Sequence, residues 1–318
     1  MIIGILGDCH LINHNPERRL DDYWITQQCK FRQVLSIFKE YNCDYIIQTG
    51  DLVDNPNISN IVMSYIINIL KEYNVRLNLV FGNHDITGHS KSTLPSSPLS
   101  VLKSAGVVNI MNSEPSYQHL CLDEGVGCAP HYLYGAGFGE QIPIPESNEI
   151  NKRYNILVVH KMIGDRQLYP GQDLIGPEKF LRIYPFYNLV VCGDYHFRFI
   201  CEYDGRIILN PGALVRKTIS KFDLEHKPAC IIFDTETNNV KVVELDIKPI
   251  EEVFDLTVIK KRDNEALNRL IEGLKKNNKS NIGWRHILVK ILEQKKTSVE
   301  ARKIIDNCLE EIKDKKLY

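Results

Sequence analysis

Two packed sheets flanked by helices in four layers, an α+β to α/β arrangement with a small α/β module at the C-terminus, is the fold this chain predicts. Three observations point to it. Short apolar runs recur, several of them ending at once in Asp, Asn or His; the first three alternate with segments of helical period; and strand-like runs crowd together after position 188.

Ile2 to Gly7 reads as a strand that runs into Asp8-Cys9-His10. A polar loop, Asn13 to Asp22, follows and is placed to line a cleft. Tyr23 to Tyr41 reads as a helix, with Ile25, Cys29, Val34, Leu35 and Phe38 at helical spacing and no internal Gly or Pro. Tyr45 to Thr49 is a strand leading into Gly50-Asp51-Leu52-Val53-Asp54. Ile58 to Tyr73 is a second helix, and Leu77 to Phe81 a strand leading into Gly82-Asn83-His84-Asp85. Helices between the strands imply parallel pairing.

The stretch from Ser90 to Ser100, rich in Ser, Pro and Thr, reads as a loop. Short strand-like pieces over 107–136 continue the sheet before another loop at Gln141 to Ser147. Ile156 to Val159 leads into His160, and Lys161 to Pro177 then reads as a lid or substrate loop. Leu189 to Cys192 leads into Gly193-Asp194-Tyr195-His196. Strands at 188–192, 198–203, 206–210, 228–234 and 239–246 are expected to complete a second sheet, with a hairpin at Tyr203-Asp204-Gly205-Arg206. Residues 1–250 thus form one domain. Residues 251–318 read as a separate β-α-β-α module, with strands at 253–259 and 285–292 and helices at 264–276 and 298–312.

Composition bounds the function. With 43% hydrophobic residues the chain can build a large core, and it holds no apolar run of membrane-spanning length. Its first residues enter a strand at once, so a soluble, cytoplasmic protein without a signal peptide is expected. Nine scattered cysteines suit free thiols better than a disulfide framework. The net charge of −1 conceals a split: residues 256–318 carry 16 Lys+Arg against 9 Asp+Glu, a net of +7 against −8 for the rest. A basic appendage suits a phosphate backbone, and a solvated helix face explains it equally well.

An open sheet gathers the carboxyl ends of its strands along one edge, so Asp8, His10, Asp51, Asn83, His160, Asp194 and His196 can converge although distant in sequence. Their oxygens and nitrogens suffice for two metal ions. Read in order, D-x-H, G-D-x-x-D, G-N-H-D, a lone His after a strand, and G-x-x-H resemble the signatures of the calcineurin-like metallophosphoesterases. That family usually ends on G-H-x-H, whereas Asp194 stands here in place of the first imidazole. An anion for a neutral nitrogen should favour harder ions such as Mn or Mg.

The stretch Asn210-Pro211-Gly212-Ala213-Leu214-Val215-Arg216 is similar to the N-P-G-S-x-x-R stretch of SbcD-type DNA repair nucleases, whose cap the C-terminal module also resembles. The resemblance covers about residues 1–250. It implies a four-layer αββα sandwich and two ions, Mn first with Mg, Fe and Zn as alternatives. One ion would be held by Asp8, His10, Asp51 and His196, the other by Asp51, Asn83, His160 and Asp194, with Asp51 bridging and a bridging hydroxide as nucleophile. It gives His84 the role of acid at the leaving group. Asp85 is read as orienting that ring and Asp54 as fixing the loop of Asp51, with helix capping an open alternative for both.

His89 and His131 lie on loops placed to reach the cleft; His14, His119, His226 and His286 carry no motif. The function implied is a two-metal phosphodiesterase, a DNA exo- or endonuclease acting in repair and recombination. Its partners would be DNA, an SbcC-like ATPase and a second copy in a homodimer. A small-molecule phosphodiesterase or protein phosphatase is the alternative, and a non-catalytic scaffold the third reading.

Overall fold

The computed structural model describes residues 1–112, 118–120, 131–145, 154–167 and 171–257. The chain divides into two compact units, Met1–Asp255 and Leu256–Tyr318. The elements expected over 264–312 therefore lie outside the described residues.

The first sheet is built from β1 (Ile2–Leu6), β2 (Tyr45–Gln48), β3 (Leu77–Leu79), β4 (Val108–Ile110), β11 (Ala229–Asp234) and β12 (Asn239–Glu244), in the order β12-β11-β1-β2-β3-β4. The second holds β5 (Gln118–Leu120), β6 (His131–Ala136), β7 (Tyr154–His160), β8 (Leu189–Gly193), β9 (Phe199–Tyr203) and β10 (Arg206–Asn210), in the order β5-β6-β7-β8-β10-β9. Strands β1 to β4 run parallel, as do β6, β7, β8 and β10. Their carboxyl ends set the site.

Strict alternation along the strands divides the core into three. Ile3, Ile5, Ile47 and Val80 from the first sheet meet Ile156, Val158, Leu189, Val191 and Leu209 from the second between the sheets. Leu6, Ile46, Leu77 and Val108 point outward, against Phe31, Val34, Leu35, Val62 and Ile66 of helices α1 (Tyr23–Glu40) and α2 (Asn60–Glu72). On the far side Leu157, Val190 and Ile208 pack on Phe180 and Leu181 of α4 (Pro177–Ile183). The result is the αββα order. Both long helices start where the sequence supplies a cap: Asp22 accepts from Ile25 N at 2.9 Å and Ser59 from Val62 N at 3.4 Å.

Three expectations are corrected. The strands expected over 228–234 and 239–246 do not extend the second sheet: β11 returns to pair antiparallel with β1, and β12 pairs with β11. There β11 is buried on both faces, Ile231 and Phe233 in the inter-sheet core and Cys230 and Ile232 on the α1 side, an apolar pattern that either sheet could accept, so the partner strand and not the run decides the sheet. Within Ser90 to Ser100 the chain is wound into the 3-10 turn Lys91–Ser96, and helix α3 (Pro98–Ser104) begins there, because Pro98 suits a first helical turn. Ile250–Val253 is a helical turn where a strand was expected to begin, and Phe254 then forms an isolated bridge to Arg19.

The polar loop after His10 does not simply line a cleft. Arg19 is 8% exposed, pairs with Asp21 at 2.7 Å, donates to the Arg216 carbonyl, and lies over the rings of Tyr23 and Phe254. The hairpin joining β9 to β10 turns on Asp204 and Gly205, both at positive φ, as a tight two-residue turn requires.

Candidate metal centre

Three of the strands that end at the shared edge, β1, β2 and β8, deliver a polar residue through a turn of unusual backbone, while His160 is the last residue of β7 itself. His10 (φ 47°), Asp51 (φ 52°) and Asp194 (φ 75°) all lie in the left-handed region. Asn, Asp and His enter that region most readily among residues with a side chain, so the turns and the chemistry agree. The backbones are also pressed close: a Cβ on Gly82 would lie 2.0 Å from Asp51 Oδ1, and one on Gly193 would lie 2.6 Å from Asp8 Oδ1. Only glycine fits at either position.

The side chains form two groups sharing one oxygen. His10 Nε2 lies 3.1 Å from His196 Nε2 and 3.6 Å from Asp51 Oδ2, while Asp8 Oδ2 lies 3.5 Å from His196 Nε2. On the other side of Asp51, His160 Nε2 lies 3.5 Å from the same Oδ2, 3.2 Å from Asn83 Oδ1 and 3.9 Å from Asp194 Oδ1. Donor atoms of one coordination shell with bonds near 2.1 Å stand about 3 Å apart, so the spacing suits a divalent ion on each side. The structure brings all seven residues together.

Neighbouring groups fix which atoms face inward. His160 Nδ1 lies 2.8 Å from the Thr49 carbonyl, which assigns its proton to Nδ1 and leaves the Nε2 lone pair for the centre. Asp8 Oδ1 accepts from Thr49 Oγ1 at 2.9 Å and Oδ2 from the Asp194 backbone N–H at 2.9 Å. Asp51 Oδ1 accepts from His84 N at 2.8 Å, which turns Oδ2 toward both groups.

Crowded acids also mark this as a place for cations. Burial pushes the Asp8 carboxyl up to about 6; the Asp51 charge adds to the shift and His160 opposes it. Burial works against ionisation of Asp51 too, but the facing His160 and His10 outweigh it and hold that carboxyl well below the usual range. Buried charges of this kind are paired or bind metal.

The two acidic residues beside the motifs exchange their expected roles. Asp85 is fully buried and accepts from Asp51 N at 2.9 Å, Val53 N at 3.1 Å and Gly82 N at 2.8 Å, so it fixes the loop. Asp54 orients the catalytic candidate: its carbonyl accepts from His84 Nδ1 at 2.6 Å, and its Oδ1 lies 3.3 Å from His10 Nδ1. Burial would raise the Asp54 carboxyl, yet its bonds to His10 and Lys217 hold it down at about 2. The ring of His84 meets that of His10 edge-on, centroids 4.7 Å apart.

Other histidines fall elsewhere. His131 opens β6, at the end of the strand remote from the site, and its Nε2 lies 3.0 Å from Thr235 Oγ1. His226 is buried with Nε2 2.6 Å from the Ala213 carbonyl. His89 packs edge-on against Phe138, whose N–H donates to the carbonyl of Phe81 just before Gly82, so it sits near this edge. The Asn-Pro-Gly turn serves as a clamp: Asn210 donates to the Tyr195 carbonyl at 2.5 Å, Ala213 N to the His196 carbonyl, and Leu214 N to the Asp8 carbonyl. Arg216 is buried away from the centre and donates to the Lys248 carbonyl at 2.7 Å.

Thr49 and Lys217 were missed by sequence reasoning. The threonine adjoins the Gly50-Asp51 motif, a usable signal. Lys217 carries no motif.

A donor cluster of this composition, set where the strands of two packed sheets end together, belongs to metal-dependent hydrolases of phosphoric esters. The chain is a member of the calcineurin-like phosphoesterases, whose family model matches residues 1–198; the family depends on a pair of metal ions. A DNA double-strand break repair protein Mre11 of Sulfurisphaera tokodaii is 23% identical over 289 residues, covering 86% of this chain and 69% of that protein. A probable cyclic nucleotide phosphodiesterase of Psychrobacter arcticus is 29% identical over 96 residues, 28% of this chain and 33% of the relative. Among solved structures, a dimetal phosphatase from Danio rerio aligns with a TM-score of 0.49 at 10% identity, covering 73% of this chain and 92% of that one. Among the described residues no helix is long and apolar enough to cross a membrane.

Proposed function

We propose that this phosphoesterase is a two-metal phosphodiesterase whose substrate is DNA. The observation that carries the metal reading is the shared oxygen: Asp51 Oδ2 lies within 3.6 Å of His10 Nε2 and 3.5 Å of His160 Nε2, between two donor groups. Asp8, His10, Asp51 and His196 would hold one ion, and Asp51, Asn83, His160 and Asp194 the other. Such a pair, when bound, supplies Lewis acidity that activates water and neutralises charge on the phosphate. Mn suits the added carboxylate of Asp194.

His84 supplies the proton at the leaving oxygen. With Nδ1 committed to the Asp54 carbonyl, its Nε2 is the atom that faces substrate. Asp85 holds the Gly82-Asn83-His84 turn and the Asp51 turn in one frame, so ligand and acid keep a fixed separation.

Support for DNA comes from the Mre11 relative and from the charge of +7 on residues 256–318. An ATPase partner and a homodimer belong to the same reading. A small-molecule phosphodiesterase is the second reading, favoured by the match to the cyclic nucleotide relative. Purified protein with Mn, assayed side by side on linear duplex DNA, single-stranded DNA, a cyclic nucleotide and bis(p-nitrophenyl) phosphate, separates the two. Cleavage of the cyclic nucleotide and aryl ester without cleavage of DNA would overturn the nuclease reading.

A further inference from the structure

Asp54 touches both imidazoles on one flank of the site, His84 through its carbonyl and His10 through its carboxylate. What holds Asp54 is Lys217, whose ammonium sits on the same Oδ1 from a position 163 residues away. The pair is more enclosed than an ordinary surface ion pair, which contributes little. Here the carboxylate is 13% exposed and the lysine side chain 35% exposed.

The loop presenting the lysine is also fixed on both sides. Arg216 is anchored to the Lys248 carbonyl and accepts from Arg19, while Thr218 N donates to Asp223 Oδ2 at 3.0 Å. Leu214, three residues before Lys217, donates to the carbonyl of Asp8. The backbone that carries the lysine is thus fixed relative to the site, so its ammonium can serve as an anchor for Asp54.

We propose that Lys217 is a positioning residue for His84, holding Asp54 so that the Asp54 carbonyl keeps the imidazole aimed at the leaving oxygen. The proposal rests on the reading of His84 as the leaving-group acid. A ring held in place matters most when the departing oxygen is basic and least when it leaves readily as an anion.

The test is a leaving-group series on the Mn-loaded protein, running from p-nitrophenyl through phenyl to alkyl phosphodiesters. It compares the unaltered protein with Lys217→Met, Lys217→Arg and His84→Ala, with metal content and circular dichroism measured on each. Lys217→Met should lower kcat about tenfold more for the alkyl ester than for the nitrophenyl ester, with KM and two-ion content held. Lys217→Arg should recover most of that loss, since a guanidinium can still reach Asp54. Equal losses across the series, or loss of metal, would assign Lys217 a purely structural role and overturn the proposal. Leaving-group dependence in His84→Ala but not in Lys217→Met would overturn this proposal alone. Its absence in His84→Ala would remove the acid role of His84 and the proposal with it.

Discussion

The two sheets bring similar side chains to one site but hold them differently. On the first, Asp51 is 1% exposed; its N–H donates to Asp85, its carbonyl accepts from Cys9 N and His10 N, and its Oδ1 accepts from His84 N. On the second, the Asp194 and His196 side chains are 20% and 43% exposed, and the loop is held chiefly through its backbone, by Asn210 and Ala213. Preorganisation is therefore uneven: the Asp51 turn is locked, and so is His160, buried and held by the Thr49 carbonyl, whereas the loop carrying Asp194 and His196 leaves its side chains room to adjust. Substitution of the shared Asp51 should therefore disturb both ions, and substitution of Asp194 only one.

The largest effect tests the shared oxygen. Asp51→Asn should abolish hydrolysis and drop bound Mn from two ions per chain to none, read by elemental analysis after gel filtration. The fold should persist, because Oδ1 can still accept from His84 N. Two ions retained in that variant would break the comparison at its centre.

His84→Ala should lower kcat roughly 10²–10⁴-fold, the range for a single acid, while both ions remain. Loss of an ion would make this residue a ligand. Asp85→Ala should act on stability: three buried N–H groups lose their acceptor, and each unsatisfied group costs about 1–3 kcal/mol, so urea unfolding should show a loss of about 3 kcal/mol or more. An unchanged midpoint would mean that the first edge is no stiffer than the second.

Asp194 should give the smallest effect. Asp194→Ala should weaken one ion selectively in titration calorimetry and leave the other unchanged. Asp194→His should keep activity and move the preference from Mn toward softer ions. Equal binding of both ions in all three proteins would show that this carboxylate only shapes the turn.

Much of this site could be read before the fold was known, because strand ends are visible in one dimension. An apolar run that stops at Gly-Asp or Gly-Asn-His places its last residues at a sheet edge, and parallel strands bring such edges together. What could not be read depended on partners. Nothing in Ala229 to Asp234 says that it returns to β1, since the run is apolar on both faces and suits either sheet. Asp54 ends the Gly50-Asp51 segment and Asp85 the Gly82-Asn83-His84 segment, and both are aspartates next to a motif, so only the direction of their bonds separates the loop-fixing acid from the ring-orienting one. Lys217 was silent for a different reason: its partner is 163 positions away and no spacing announces it.

The left-handed turns at positions 10, 51 and 194 restrict what a mutational library could recover there. A side chain with an ordinary Cβ is strained by about 1–2 kcal/mol in that conformation; glycine, asparagine and aspartate are the residues that visit it routinely, and histidine is enriched there too. Setting glycine aside, each of the others carries an oxygen or nitrogen donor. Random drift at these three sites is thus filtered by backbone shape alone into an alphabet of ligands, and an exchange such as Asp for His at 194 crosses no conformational barrier. The turn favours side chains with donor atoms whether or not an ion is there to use them.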